Sequence, residues 1–219
     1  VRLGGTGNNF FGSGPLFIKN GGEMIDDTSN TAVTSINNGL TFTNGGTLTS
    51  NGAGTGTYGN YFFGGGSGIN VTGNAAATIS ADAISINNGR TITVADVTGD
   101  ANADLTISSV IQDWGVNASQ LIKNGAGTLT LTAQNTYTGG TTVNDGILDL
   151  LGGDRIDGAL VVDGTGKVTL STAGHNKLGG ITSITMQNGG TFSDNSGGTY
   201  VQSVDIPIFF NNGGTLTSE

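Results

Sequence analysis

Sixteen carboxylates, seven basic side chains and one histidine are all that this 219-residue sequence offers for acid–base or ionic chemistry. The densest acidic group lies between 145 and 163, where Asp145, Asp149, Asp154, Asp157 and Asp163 follow one another. Carboxylates gathered on one face with basic residues can cleave glycosidic bonds, and their oxygens can hold a hard cation. Asp145 and Asp163 stand at comparable Gly-containing corners and are expected to stack in successive turns of the chain. Stacked like charges need water or a cation such as calcium between them. The plainer expectation is a pair of solvated corner aspartates that take the place of Asn. A second stretch, "GDANADLTI" at 99–107, sets Asp100, Asn102 and Asp104 at alternate positions, as in the first half of a calcium-binding loop. Such a loop needs Gly at its sixth position and an acid at its twelfth, where this sequence has Leu105 and Ile111. The stretch is therefore expected to be a loop feeding a strand over 105–107.

The other chemistry-bearing residues are sparse. His175, in "STAGHNKLGG", has no Ser or acid paired with it by sequence, and reads as a surface-loop residue rather than the base of a triad. Arg2, Arg90 and Arg155 are the only arginines, too few and too scattered for the acid-plus-Arg cluster of a polysaccharide-degrading site. "GTGTYGNYFFGGGSG" at 54–68 is Gly-rich, but no Lys-Ser or Lys-Thr follows it and it opens no helix, so it does not cradle phosphate. Its Tyr58, Tyr61, Phe62 and Phe63 are expected to pack inward beneath the loop, with a sugar-stacking or subunit contact as the alternative. Trp114 carries the same two readings. No residue is assigned a catalytic, cofactor-binding or metal-binding role.

Bulk composition narrows the partners. A net charge of −9 with only seven Lys and Arg disfavours nucleic acid and anionic bilayers, both of which need clustered cations. The absence of cysteine excludes disulfides and thiolate zinc sites. No stretch of about 18 apolar residues is present to span a membrane as a helix. The first residues, "VRLGGTGNNF", lack the apolar region of a signal peptide, so a secreted form is expected to be a mature chain or a fragment.

What would hold these residues in place is repetition. An apolar residue, then Asn or Asp, then Gly, then an alternating strand recurs along the chain, as in "FTNGGTLT" at 42–49, "INNGRTITV" at 86–94, "IKNGAGTLTL" at 122–131, "VNDGILDL" at 143–150 and "FNNGGTLT" at 210–217. The later corners stand at Asn124, Asp145, Asp163, Asn188 and Asn212. Their spacing of roughly 18 to 25 residues suits one small supersecondary unit per repeat. Alternation such as Thr128-Leu129-Thr130-Leu131-Thr132 puts apolar side chains on one face of a strand and Thr on the other. Asn and Gly suit the left-handed backbone of a corner. Asn-Gly between alternating strands is also a hairpin signal, but hairpins would give mirror-like pairs, whereas here one ordered unit recurs in one direction. A short unit that cannot bury its own apolar face must be completed by its neighbours, as in a parallel β-helix. Asn at equivalent corners is expected to stack in amide ladders along the axis.

A longer repeat overlies the short one. Sliding the chain until Lys19 falls on Gln187 aligns 19–50 with 187–218 without a gap, and 15 of the 32 pairs are identical, including every one from Asn44 to Ser50. The chain is thus expected to be one continuous β-solenoid over 1–219, a module of about 168 residues followed by the start of the next. At about 21 residues per turn and a strand separation of about 4.8 Å, the module would have roughly eight rungs and a length of about 40 Å.

The run "LIKNGAGTLTLTAQNTYTGGTTVNDGILDL" at 121–150 resembles the autotransporter-associated β-strand repeat, also called the passenger-associated transport repeat, of bacterial autotransporter passengers. The match lies in Lys-x-Gly-x-Gly-Thr-Leu-Thr-Leu, then Asn135-Thr136-Tyr137-Thr138-Gly139-Gly140-Thr141-Thr142, then an Asn/Asp-Gly-hydrophobic strand. The resemblance implies an all-β, right-handed parallel β-helix, its rungs having the corner spacing given above. It further implies export through an outer-membrane translocator and display on, or release from, a Gram-negative-type cell. The function expected is structural or adhesive, as a stalk, spacer or adhesin without catalysis, drawn from a large tandem-repeat surface protein. Its partners would be neighbouring modules or identical chains end to end, with residues near Phe209–Glu219 meeting those near Val1–Phe11, and environmental glycans or proteins. The rival expectations are a self-assembling filament subunit, and a carbohydrate-active enzyme or glycan-binding module on the same scaffold.

Overall fold

Each Asn-Gly or Asp-Gly corner passes the chain from one strand to the next, and every strand pairs in parallel with its counterpart one turn away rather than with its neighbour in sequence. The computed structural model describes residues 1–5, 9–11, 14–28, 32–52, 59–66, 68–151, 156–171, 178, 180–195 and 205–218. Among these, three parallel sheets run along the axis, of ten, nine and five strands, and no helix occurs. The ten-strand sheet runs from Arg2–Gly5 to Thr215–Ser218, the nine-strand sheet from Leu16–Lys19 to Ile208–Asn211, and the five-strand sheet from Asn9–Phe10 to Val110–Asp113. Uniformly parallel pairing excludes the hairpin sandwich and gives the expected parallel β-solenoid.

In-register stacking builds the core. Along the ten-strand sheet, Leu48 sits beside Ile79, Ile79 beside Ile107, Ile107 beside Leu131, Leu131 beside Leu150 and Leu150 beside Leu170. All six are fully buried. The nine-strand sheet adds Ile18, Phe42, Val71 and Val94 from the facing wall. Thr stands on the outward side between these columns, partly exposed at Thr47, Thr78 and Thr106 and covered at Thr130 and Thr169, as its β-branched, half-polar side chain suits.

Corner conformation explains the Asn and Gly. Asn20, Asn44, Asn188 and Asn212 have φ between 52° and 58°, and the Asn88 corner has 59°. Amides stack from corner to corner as expected, both at left-handed Asn, where Asn44 Nδ2 donates to Asn20 Oδ1 (3.1 Å) and Asn212 to Asn188 (2.9 Å), and at the corners of 124 and 144, where Asn144 donates to Asn124 (2.9 Å). Other glycines serve close approach instead. A Cβ on Gly190 would lie 2.1 Å from the carbonyl oxygen of Val162 on the preceding turn.

Rung length varies more than the corner spacing suggests. The turns from Leu48 to Ile79 and from Ile79 to Ile107 both exceed the longest spacing expected, while the turn from Leu131 to Leu150 sits near the shortest. Between Ile79 and Ile107 the surplus forms the loop 95–104, and the strands themselves keep their register. Strands at equivalent places in the long repeat, such as Glu23–Thr28 and Thr191–Asp194, are therefore seven steps apart in the sheet rather than eight.

Replacing Gly190 by Ala is expected to cost about 3 kcal/mol, because backbone one turn away must move. Gly66→Ala, with nothing within 4 Å of its added methyl, should stay within about 0.5 kcal/mol. Urea unfolding followed by circular dichroism measures both.

Candidate functional site

The outer surface of the five-strand sheet carries a stacked pair of partly exposed aromatic residues. Within Tyr61–Phe63 the alternation turns Tyr61 and Phe63 into the core and Phe62 outward. Phe62 lies beside Ser85 on the next turn, and Ser85 lies beside Gln112 on the turn after that. Trp114 follows that last strand, held by its N–H to the Ile86 carbonyl (2.8 Å). Its ring stacks on Phe62 with centroids 3.7 Å apart and planes 26° from parallel, spanning the turn that carries the small, buried Ser85. Amides flank the pair: Gln112 Nε2 donates to Ser85 Oγ (3.1 Å), and Asn117 Nδ2 donates to Asn87 Oδ1 (3.2 Å). A half-exposed aromatic pair beside amides can contact a sugar face or a protein surface. Tyr61, by contrast, is a core residue whose hydroxyl donates to the Thr49 carbonyl (2.8 Å), and burial raises its pKa, as does the charge of Asp26. Tyr58 lies outside the described residues.

The acidic stretch 99–107 resolves into a pinned loop. Asp104 is buried, and its Oδ1 accepts from the N–H of Val97 (2.8 Å), the N–H of Thr98 (2.8 Å) and the Thr98 hydroxyl (2.9 Å). Its Oδ2 accepts from the N–H of Thr128 (2.7 Å) on the next turn. Asp100 is turned to Asn102, whose backbone and side-chain N–H groups both donate to it, and these bonds hold its carboxyl below the usual range. The two carboxylates thus serve different backbone groups, and the strand Leu105–Ile107 follows as expected.

Asp145 and Asp163 do not stack. Val143 pairs with Val162, and continuing that register by one puts Asn144, not Asp145, beside Asp163. The corner "VNDG" is one residue longer than "VDG", a difference that matching Gly to Gly conceals. Asp145 accepts from the Thr165 hydroxyl (2.6 Å). Asp163 accepts from Asn188 (2.8 Å) and Gln187 (2.9 Å), and these two bonds lower its pKa. Asp149, on the outer face of the ten-strand sheet, accepts from Ser171, and Asp157 opens the strand Asp157–Asp163. Asp154, Arg155 and His175 lie outside the described residues. Arg2 pairs with Asp27 at 2.6 Å, and Arg90 is buried with Nε on the Phe63 carbonyl (2.8 Å).

Three polar residues that sequence reasoning passed over organise the stretch 121–150. Lys123 follows Leu121 at period two, a spacing that points it into the core, and it is fully buried. Its ammonium donates to the carbonyls of Asn124 (3.0 Å), Gly125 (2.6 Å) and Asp145 (3.1 Å), binding two successive corners together. Burial lowers its pKa to about 8, against the opposing charges of Asp145 and Asp104. Asn135 is buried, and its Oδ1 accepts from the N–H of Ile111 (2.9 Å) on the preceding turn. Tyr137 is buried as well, with its hydroxyl 2.6 Å from that of Thr141, and burial raises its pKa.

With this geometry in place, comparison gives a consistent picture. Residues 121–150, the segment held by Lys123, Asn135 and Tyr137, match the Passenger-associated-transport-repeat family, so the resemblance read from the sequence holds over that segment. The chain is also 34% identical over 140 residues to the adhesin BmaC autotransporter of Brucella suis biovar 1 (strain 1330), an alignment covering 60% of this chain and 4% of that protein. No solved structure matches the chain.

Lys123 makes stability depend on pH. Its pKa falls on folding from about 10.5 to about 8, so between those values the unfolded chain binds more protons, and unfolding free energy rises with pH. Between pH 8 and 9.5, below tyrosine ionisation, denaturant melts should show a gain of about 2 kcal/mol. Lys123→Met should abolish this gain.

Proposed function

We propose that this chain is part of a bacterial autotransporter passenger and serves as a surface-displayed adhesive and structural rod without catalysis. The observation that carries the reading is the transport repeat at 121–150, built as consecutive turns of a solenoid that continues on both sides of it. The similarity to an adhesin over 140 residues supports the same reading, and so does a surface of Thr, Asn and Gly with few charges. Secretion to the cell surface follows from that kinship, and an outer-membrane translocator is the partner it implies.

Adhesion on such a rod would be distributed along its length, with the partly exposed Phe62 and Trp114 stack as one aromatic contact on it. A net charge of −9 repels anionic cell surfaces, so added salt should strengthen attachment rather than weaken it.

Beads coated with the purified chain, scored on epithelial monolayers and on a glycan array, test the reading. Saturable attachment above an albumin control is expected. It should hold or rise from about 0.05 M to about 0.5 M salt, and Trp114→Ala should lower it several-fold without altering the circular dichroism spectrum. Attachment no better than albumin on either surface, or loss of polymer viscosity on incubation with polysaccharide, would overturn it.

A further inference from the structure

Two identical pairs of residues have different surroundings in this solenoid. Phe42 and Leu48 are completely buried, at 0% exposure each. Phe210 and Leu216, which occupy the same places in the second copy of the long repeat, are 54% and 48% exposed. What covers the first pair is the following turn, where Phe42 lies beside Val71 and Leu48 beside Ile79.

The equivalence is structural as well as sequential. In the ten-strand sheet, Leu3, Asp26 and Ser50 are successive neighbours, and Leu170, Asp194 and Ser218 form the same column. In the nine-strand sheet, Ile18 pairs with Phe42 as Met186 pairs with Phe210. The corner amides agree too, since Asn44 donates to Asn20 and Asn212 donates to Asn188. In pairing and corner contacts, the described part of 187–218 thus reproduces its counterpart in 19–50 up to the open face.

We propose that the open face formed by Ile208–Asn211 and Thr215–Ser218 is a docking surface for one further parallel turn of the kind built here by Ile69–Thr72 and Ala77–Ile79, supplied by a tandem copy of the module. The inward side chains it takes are a Val over Phe210 and an Ile over Leu216, in the register that Val71 and Ile79 hold over Phe42 and Leu48. The unpaired edges of both strands supply the hydrogen-bonding groups for that turn.

The test extends the chain along its own repeat. Residues 52–95 are appended after Glu219, beside a control with the same appended composition in shuffled order. Hydrogen exchange is followed at the amides of 208–218 and of the appended segment. With the ordered extension, the amides of Phe210 and Leu216 should exchange at least about tenfold more slowly, and the appended residues should gain protection. Phe210→Asp should lower the unfolding midpoint of the extended chain while leaving the original chain nearly unchanged. Equal exchange with ordered and shuffled extensions would overturn the proposal, as would an appended segment without protection. Protection at 208–218 that grows with concentration in the unextended chain would assign the face to a separate chain and overturn the tandem copy. Exchange rates read the packing of the rod alone, so the outcome is separate from whether the rod adheres.

Discussion

Everything in this molecule depends on one constraint: each inward side chain must be covered by an equivalent side chain from the turn before and the turn after. A turn of this size cannot bury its own apolar face, so stability comes from columns such as Leu48, Ile79, Ile107, Leu131, Leu150 and Leu170 rather than from any single turn. Register is then not negotiable, because a slip of one residue would turn a whole strand's apolar set toward solvent. Variation is pushed into the connections. The long turn between Ile79 and Ile107 keeps its strands aligned while its surplus leaves the wall between 95 and 104.

Buried polar residues enforce that register where the aliphatic columns alone would not. Asp104 ties the loop 97–98 to the backbone of Thr128 on the next turn. Asp113, only partly buried, adds a tie nearer the surface, accepting from the backbone N–H groups of Ser119 and Thr138 and from the Thr138 hydroxyl. Lys123 satisfies carbonyls on two corners at once. A buried ion is costly unless its hydrogen-bonding capacity is filled, and here three carbonyls fill the ammonium's three donors. These groups could be mistaken for a reactive cluster if their spacing were considered alone. Their partners are backbone atoms, which identifies them as fasteners between turns.

How far the sequence discloses this depends on distance along the chain. Alternation at Thr128–Leu131 and the Asn-Gly corners are local, and both the strand pattern and the amide ladders follow from them. The direction of recurrence discloses parallel pairing. Relations across turns are harder to read. Asp145 and Asp163 align when Gly is the anchor, but the ladder is set by the inward Val143 and Val162, and the two anchors differ by one residue. The stack of Phe62 on Trp114 spans two turns of unequal length, so no fixed spacing could announce it. Lys123 is legible in principle, since Leu121 and Lys123 share a parity. A charge on the apolar side of an alternation is readily taken as an exception to the pattern when it is in fact a buried donor.

The same constraint bears on what such a rod can do. A solenoid repeats a surface along an axis, so its outward positions form rows. Here the rows of the ten-strand sheet are mostly hydroxyls, as in Thr47, Thr78, Thr106 and Thr130 on successive turns, broken by Asp149. Neutral rows of this kind make many weak contacts at once. Such contacts gain strength through number, because each further contact on a tethered rod forms at the effective concentration set by the first. The physics that makes one turn unstable alone therefore also favours a long array of turns as the working unit.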